Sequence, residues 1–292
     1  MFRKIMDTIV TLIITVGVMA VCYPSFATFI NQKFANREIV AYQEQMDSSS
    51  KDKLEMMEEM ADRYNVSLPI SFPADPFSES NISDFKGTEF EDFEMVKEGA
   101  MLGYLEIPKI DVYLPIYYGT SDEVLSEGLG LVENTSLPVG GKGTHSVISG
   151  HSGMASKKLL TDLNLVEEDD IFFLHVLNQH LAYQVNQIKV VWPYETDDLY
   201  IVDEKDYSTL LTCTPFGVND HRLLVRGERI DYDFTTQTET TEITAKTAAD
   251  KYLWMFVGGA YLLIILIVLI RKRMKKSAEK RRLSAKEQDE RQ

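Results

Sequence analysis

Two apolar segments, at 5–21 and 252–270, bracket this 292-residue chain and limit what the rest of it can be. Each is about the length that a helix needs to cross the hydrocarbon core of a bilayer. The first carries a single charge, Asp7 near its start, and the second carries none. Arg3 and Lys4 precede the first, and Arg271-Lys272-Arg273-Met274-Lys275-Lys276 follows the second. With basic residues at the terminal end of each span, both termini belong in the cytoplasm and the body between them outside. A cleaved signal peptide is the competing reading of the first segment. Tyr23-Pro24-Ser25-Phe26-Ala27-Thr28 offers a poor small-x-small cleavage site, so an uncleaved anchor is expected. Cys22 follows Val21, which is too large for the residue that precedes a lipid-modified cysteine. The expectation is a multi-pass cell-membrane protein that contacts lipid through two spans.

The body has a globular composition, with 45% hydrophobic and 26% charged residues overall. Net charge is -15 although the tail is basic, so the middle of the chain is strongly acidic. That argues against nucleic acid as a partner, which needs a basic footprint.

Organisation follows from texture. Residues 1–25 read as the cytoplasmic start and anchor, and 26–68 as N-terminal helices broken at Ser48-Ser49-Ser50. A helix is predicted over 52–64 from Leu54, Met57, Ala61 and Tyr64 on one face, with Asp52 and Glu55 resembling a capping box. Residues 69–100 read as loop and linker, rich in proline and polar residues around Asp75-Pro76-Phe77. Short strands are predicted at 104–107, 112–117, 146–149, 171–174, 182–185 and 223–226, with helical turns at 122–128 and 156–163. Many short strands separated by turns point to a barrel or sandwich over 101–232. A Thr-rich linker (233–250), the second span (251–270) and a basic tail (271–292) complete the chain.

The chemistry centres on Cys213. Cys22 lies at the membrane, so Cys213 has no disulfide partner in its own chain, and an unpaired thiol outside the cell is a candidate nucleophile. A thiol needs a nearby cation or imidazole to raise its thiolate fraction. Among five histidines, His151 stands out between Gly150 and Ser152-Gly153 after a strand, where a turn can aim a side chain across a groove. His145 fits a structural hydrogen bond at a strand start. His221 reads as an exposed loop residue, and His175 and His180 as surface or strand-end positions. Arg222 opens a strand that points back toward Cys213. It either holds a substrate carbonyl or pairs with one of the many acids. A zinc site built on Cys213, His145 and His151 lacks the usual ligand spacings. No cofactor is expected.

With these residues in place, the sequence resembles the sortase family. Thr209-Leu210-Leu211-Thr212-Cys213 fits its TLxTC signature, Ser149-Gly150-His151-Ser152-Gly153 its histidine turn, and Asn219-Asp220-His221-Arg222-Leu223-Leu224-Val225-Arg226-Gly227 its arginine strand. Ile107-Pro108-Lys109-Ile110, Leu114-Pro115-Ile116-Tyr117 and the run from Gly141 to Ile148 narrow the likeness to class C, the pilin-polymerising sortases of Gram-positive bacteria. The resemblance implies a mainly β fold: an eight-stranded sortase β-barrel with N-terminal helices and a lid, flanked by two transmembrane helices. It implies Cys213 as nucleophile, His151 as acid/base partner and Arg222 as the substrate- and oxyanion-stabilising cation, with Thr212 supporting the substrate groove. Asp75-Pro76-Phe77 resembles the class C lid, Asp75 neutralising Arg222 and Phe77 covering the thiol. Tyr118 departs from a histidine often found there, and Ser152 and Met154 from an arginine and a leucine.

The function so implied is a membrane-anchored cysteine transpeptidase. It would cleave an LPxTG-like sorting signal of pilin subunits through an acyl-thioester and join them to a pilin lysine, building covalent pili. The alternative within the family is a housekeeping-type sortase that anchors surface proteins to the cell wall. A sorted surface protein is disfavoured because no LPxTG-type pentapeptide precedes the second span. A papain-like protease would want a different sequence around its thiol.

Overall fold

The computed structural model describes residues 2–68, 75–77, 85, 87–154 and 156–234, with 258, 259, 270, 273 and 276 beyond them. The second predicted span and the Thr-rich linker therefore fall almost wholly outside the described residues. Among the described residues no helix is long and apolar enough to cross a membrane.

Eight strands close into a barrel: β1 (Met101–Ile107), β2 (Val112–Tyr118), β3 (Leu129–Leu131), β4 (Thr144–Ser149), β5 (Ile171–Val176), β6 (Gln179–Val191), β7 (Asp206–Thr214) and β8 (His221–Ile230). Their spatial order is β1-β2-β3-β4-β7-β8-β6-β5. Two neighbouring pairs run parallel, β2 with β3 and β4 with β7, and the rest antiparallel. All six predicted strands are present. Two further strands, β3 and β7, had gone unread as strands. The predicted turn at 122–128 forms a short helix, α3 (Asp122–Glu127), capped by Ser121. The predicted helical turns at 156–163 appear as turns at 159–162 leading into a 3-10 helix at Leu163–Leu165.

The wall strands are covered on both faces. Leu210 and Val225 belong to the main core with Ile148, Leu105 and Leu174. Their sequence neighbours Leu211 and Leu224 belong to a smaller cluster on the opposite face with Val147, Val132 and Leu199. Side chains alternate along a strand, so β4, β7 and β8 each turn one face to that smaller cluster, through Val147, Leu211 and Leu224.

The barrel closes tightly at Gly103. A Cβ there would lie 2.2 Å from the His175 carbonyl oxygen and 2.8 Å from Val176 Cγ2. Backbone cannot yield as a flexible side chain can. Gly103→Ala is expected to cost about 1–3 kcal/mol, read as a lowered denaturation midpoint with no change at the site.

Two helices brace the outside. α1 (Phe2–Ser48) is a single helix of 47 residues, so the predicted anchor and the first N-terminal helix are one element. Its Ile39, Tyr42 and Met46 are buried. The Tyr42 hydroxyl donates to the Leu102 carbonyl at 2.7 Å and accepts from the Leu177 amide at 3.0 Å. α2 (Lys51–Ser67) begins one residue before Asp52, and its N-cap is Ser50, whose hydroxyl accepts from the Lys53 amide. The predicted stripe faces the core: Ala61 and Tyr64 are buried, and Leu54 and Met57 pack against them. Asn65 locks α2 to the barrel by exchanging two hydrogen bonds with the Leu137 backbone, at 2.7 and 3.2 Å.

Candidate active site

Strand register brings the sequence-predicted residues together. β4 runs parallel to β7 with Ser149 opposite Leu211. Hydrogen bonds from Gly150 to Leu211 and from Ser152 to Cys213 tie the His151 turn to the end of β7 that carries the thiol. β8 returns antiparallel with Arg222 directly opposite Cys213. Counting by twos from Leu211 and Leu224 puts Cys213 and Arg222 on one face, that of the smaller cluster.

The turn after β4 is fixed by the segment that carries the thiol. The Gly150 amide donates to the Leu211 carbonyl at 3.1 Å, and the Thr212 hydroxyl donates to the Gly150 carbonyl at 2.7 Å. The Ser152 hydroxyl donates to the Cys213 carbonyl at 2.9 Å. Thr212 is buried with its hydroxyl spent on this tie, which holds the histidine turn. Gly153 has φ +82°, a conformation that favours glycine, and a Cβ there would meet the Phe216 ring at 3.1 Å.

Asp75-Pro76-Phe77 closes over this face. Asp75 accepts from Arg222 Nε at 2.7 Å and from Nη2 at 2.8 Å, a bidentate pair in which both side chains are largely buried. Arg222 Nη1 donates to the carbonyls of Asn219 and His221 at 3.1 and 3.0 Å. The guanidinium is thus clamped from behind, with its fork filled by Asp75. The Phe77 ring lies 5.0 Å from the guanidinium carbon and 5.4 Å from the His151 ring, and packs against the smaller cluster. One aromatic ring therefore contacts both the cation and the imidazole.

Burial pushes the Cys213 thiol above its ordinary pKa; Arg222 opposes that shift and Asp75 adds to it. Burial lowers His151 below its ordinary value, opposed by the field of Asp122. At Arg222, burial disfavours the charge, but Asp75 and Cys213 outweigh it and the net shift is upward. Burial thus favours the neutral forms of Cys213 and His151 beside a permanently charged arginine.

The other histidines divide. His145 is buried between the Tyr200 carbonyl at 2.8 Å and the Thr209 hydroxyl at 2.7 Å, and burial drives its pKa down to about 4, as befits a structural group. His221 stacks on Trp192 and bonds Asp220. His175 is buried rather than superficial: it meets Glu106 at 3.2 Å and His180 at 2.6 Å. Tyr118 is fully buried and meets the Tyr64 hydroxyl at 3.2 Å. Ser152 and Asp122 are additions to the site. Ser152 adjoins His151 in sequence, but Asp122 comes from a different element. Among the described residues no group of three or more His, Cys, Asp or Glu side chains could hold a metal ion.

The sortase-domain family model matches residues 105–230, from within β1 to the end of β8. Sortase C of Streptococcus pneumoniae is 43% identical over 67% of this chain and 97% of its own, with a TM-score of 0.60. The chain belongs to the sortase family. Sortase C of Clostridium perfringens, solved with the C-terminal cell wall sorting motif, is 44% identical, over 68% of this chain and all of its own, with a TM-score of 0.59. Sortase D of Bacillus subtilis is 29% identical over 135 residues, or 45% of this chain. That match spans 65% of Sortase D, just under two thirds of its length. The structural neighbours of this sortase named here are thus class C enzymes.

Proposed function

We propose that this sortase is a membrane-anchored cysteine transpeptidase that joins pilin subunits, with Cys213, His151 and Arg222 as its catalytic residues and Asp75-Pro76-Phe77 as a lid. The observation that carries this reading is the bidentate Asp75–Arg222 pair beside Cys213, under the Phe77 ring. The likeness to sortases C supports the substrate class.

In the first half-reaction the Cys213 thiol passes its proton to His151, and the resulting thiolate attacks the threonine carbonyl of an LPxTG-like signal. The carbonyl oxygen takes up negative charge, which Arg222 stabilises through the donors that Asp75 occupies in the closed state. The threonine–glycine C–N bond breaks, and His151 gives its proton to the leaving amine. In the second half a pilin lysine amine attacks the thioester carbonyl. The C–S bond breaks, Cys213 leaves as thiolate, and the amine proton passes to His151. An isopeptide bond results and the enzyme is restored. Dividing one hard barrier into two lower ones is the gain of covalent catalysis.

Anchoring rests on segments 5–21 and 252–270 and on the basic residues at their ends. Ile9, Leu12, Ile13, Val16 and Met19 present large exposed apolar side chains on α1, as a lipid-facing helix would. An anchored enzyme meets substrates that are themselves held by C-terminal spans.

The lid has a testable signature. Asp75→Ala or Phe77→Ala is expected to speed alkylation of Cys213 at neutral pH. Both changes also shift the pH midpoint of alkylation downward, because burial and the Asp75 charge are what raise the thiol pKa. Rates and midpoints equal to those of the parent protein would overturn the lid. The transpeptidase itself is tested by mixing the full-length protein with a sorting peptide and a lysine-bearing pilin domain. An isopeptide-linked conjugate is expected, and release of free acid alone would contradict it.

A further inference from the structure

Between α1, β2 and α3 lies a groove of about 490 Å³ that neither half-reaction uses. Phe34 of α1, Pro115 and Tyr117 of β2, and Val124 of α3 line it with apolar surface. Phe34 is 61% exposed, a large aromatic ring left to solvent. Glu38, Glu123 and Glu127 stand around these walls, with a single basic side chain, Lys157, among them. Lys157 is committed elsewhere: its ammonium donates to the carbonyls of Ser126 and Glu127 and pairs with the Glu127 carboxylate at 3.2 Å. Among the described residues Glu38 and Glu123 form no ion pair.

The groove adjoins the catalytic histidine through two elements. Lys157 sits six residues after His151 on the same loop, and α1 grips that loop where the Asn31 side-chain amide donates to the Ser156 carbonyl at 2.8 Å. α3 presents Val124 and Glu127 to the groove, while Asp122 in its first turn acts electrostatically on His151.

We infer that this groove docks the acceptor protein, taking a lysine- or arginine-bearing segment whose neighbouring lysine amine is thereby delivered to the His151 side of the acyl-enzyme. The inference rests on the transpeptidase reading above. Charge complementarity selects the occupant: two uncommitted carboxylates favour a cation, and long basic side chains lay their methylenes on apolar walls while keeping the charged head in water. Position selects the half-reaction. The sorting signal must reach Cys213 and Arg222, whereas this groove borders the loop of His151, the group that takes the acceptor's proton.

The test uses the full-length Phe77→Ala protein in detergent, an LPxTG-type donor peptide and two nucleophiles, acetyl-tetralysine amide and hydroxylamine. Hydroxylamine is small and uncharged near neutral pH and has no need of a docking groove. Glu38→Gln with Glu123→Gln is expected to raise KM for tetralysine by about tenfold, the order of two exposed charge contacts. Acyl-enzyme formation and hydroxamate release stay at the parent rates, and added salt narrows the tetralysine difference. An unchanged tetralysine KM would overturn the inference. So would an equal loss with both nucleophiles, which would make the groove a support for the His151 loop. Failure of the parent to form any acyl-enzyme would instead defeat the transpeptidase reading, and this inference with it, before any acceptor is added.

Discussion

Cys213→Ala is expected to lower acyl transfer by about a millionfold, the order seen when a nucleophile is removed from a preorganised site. No neighbouring side chain can substitute. Thr212 is buried with its hydroxyl on the Gly150 carbonyl, and the Ser152 hydroxyl is bound to the Cys213 carbonyl. The fold should survive, because the change deletes one small, mostly buried sulfur and costs about 1 kcal/mol or less. Backbone pairing of Cys213 with Arg222 does not depend on the side chain. A monomeric, cooperatively melting Cys213→Ala protein that forms no thioester is the predicted result. Residual turnover above a thousandth of the parent rate would remove Cys213 from the nucleophile's role.

The second large effect belongs to Arg222. Losing one oxyanion donor from a preorganised site typically costs about 10²–10³ in rate, and Arg222→Ala is expected to lower kcat/KM by that order. The same substitution removes the two charged hydrogen bonds that Asp75 accepts from Arg222. A carboxylate left buried without its cation is strongly unfavourable, so the lid should open. Measured above the thiol pKa, where ionisation no longer limits the rate, alkylation of Cys213 should therefore quicken while turnover falls. Arg222→Lys keeps a charge beside the thiol but loses the planar fork, so it should recover thiol ionisation better than turnover. If Arg222→Ala slowed labelling and turnover together, Arg222 would be a structural support rather than a partner of substrate and lid.

Legibility of this protein in its sequence varied with how local the cause was. Strands with one turn-bounded apolar run, such as β1, β2 and β5, were found at nearly their observed positions. β7 carries the thiol, yet Thr209-Leu210-Leu211-Thr212 has no alternation, because Leu210 and Leu211 are buried in different clusters on opposite faces. β3 is three residues long, too short for any periodic signal. Only the middle of β6 was read, since its second half is largely exposed and polar. His175 looked superficial because the sequence does not reveal that β5 pairs with β1, which brings Glu106 to it.

Which site residues meet is a matter of distant pairing. Arg222 and Cys213 sit nine residues apart on consecutive strands, so a hairpin-like return was readable. His151 lies 62 positions before the thiol and is brought there by a parallel pairing that no local pattern announces. Asp75 is 147 positions from Arg222, inside a proline-rich loop, and only the family resemblance marked it out. Asp122 and the acidic groove carried no motif at all.

The most direct measurement is the intact mass of the full-length Phe77→Ala protein in detergent after incubation with an LPxTG-type peptide. The account predicts an adduct equal to the peptide through its threonine less one water, removed by hydroxylamine and missing from a Phe77→Ala/Cys213→Ala double variant. A protein whose Cys213 alkylates freely yet gives no such adduct with a panel of LPxTG-type and pilin-derived sorting peptides would contradict it.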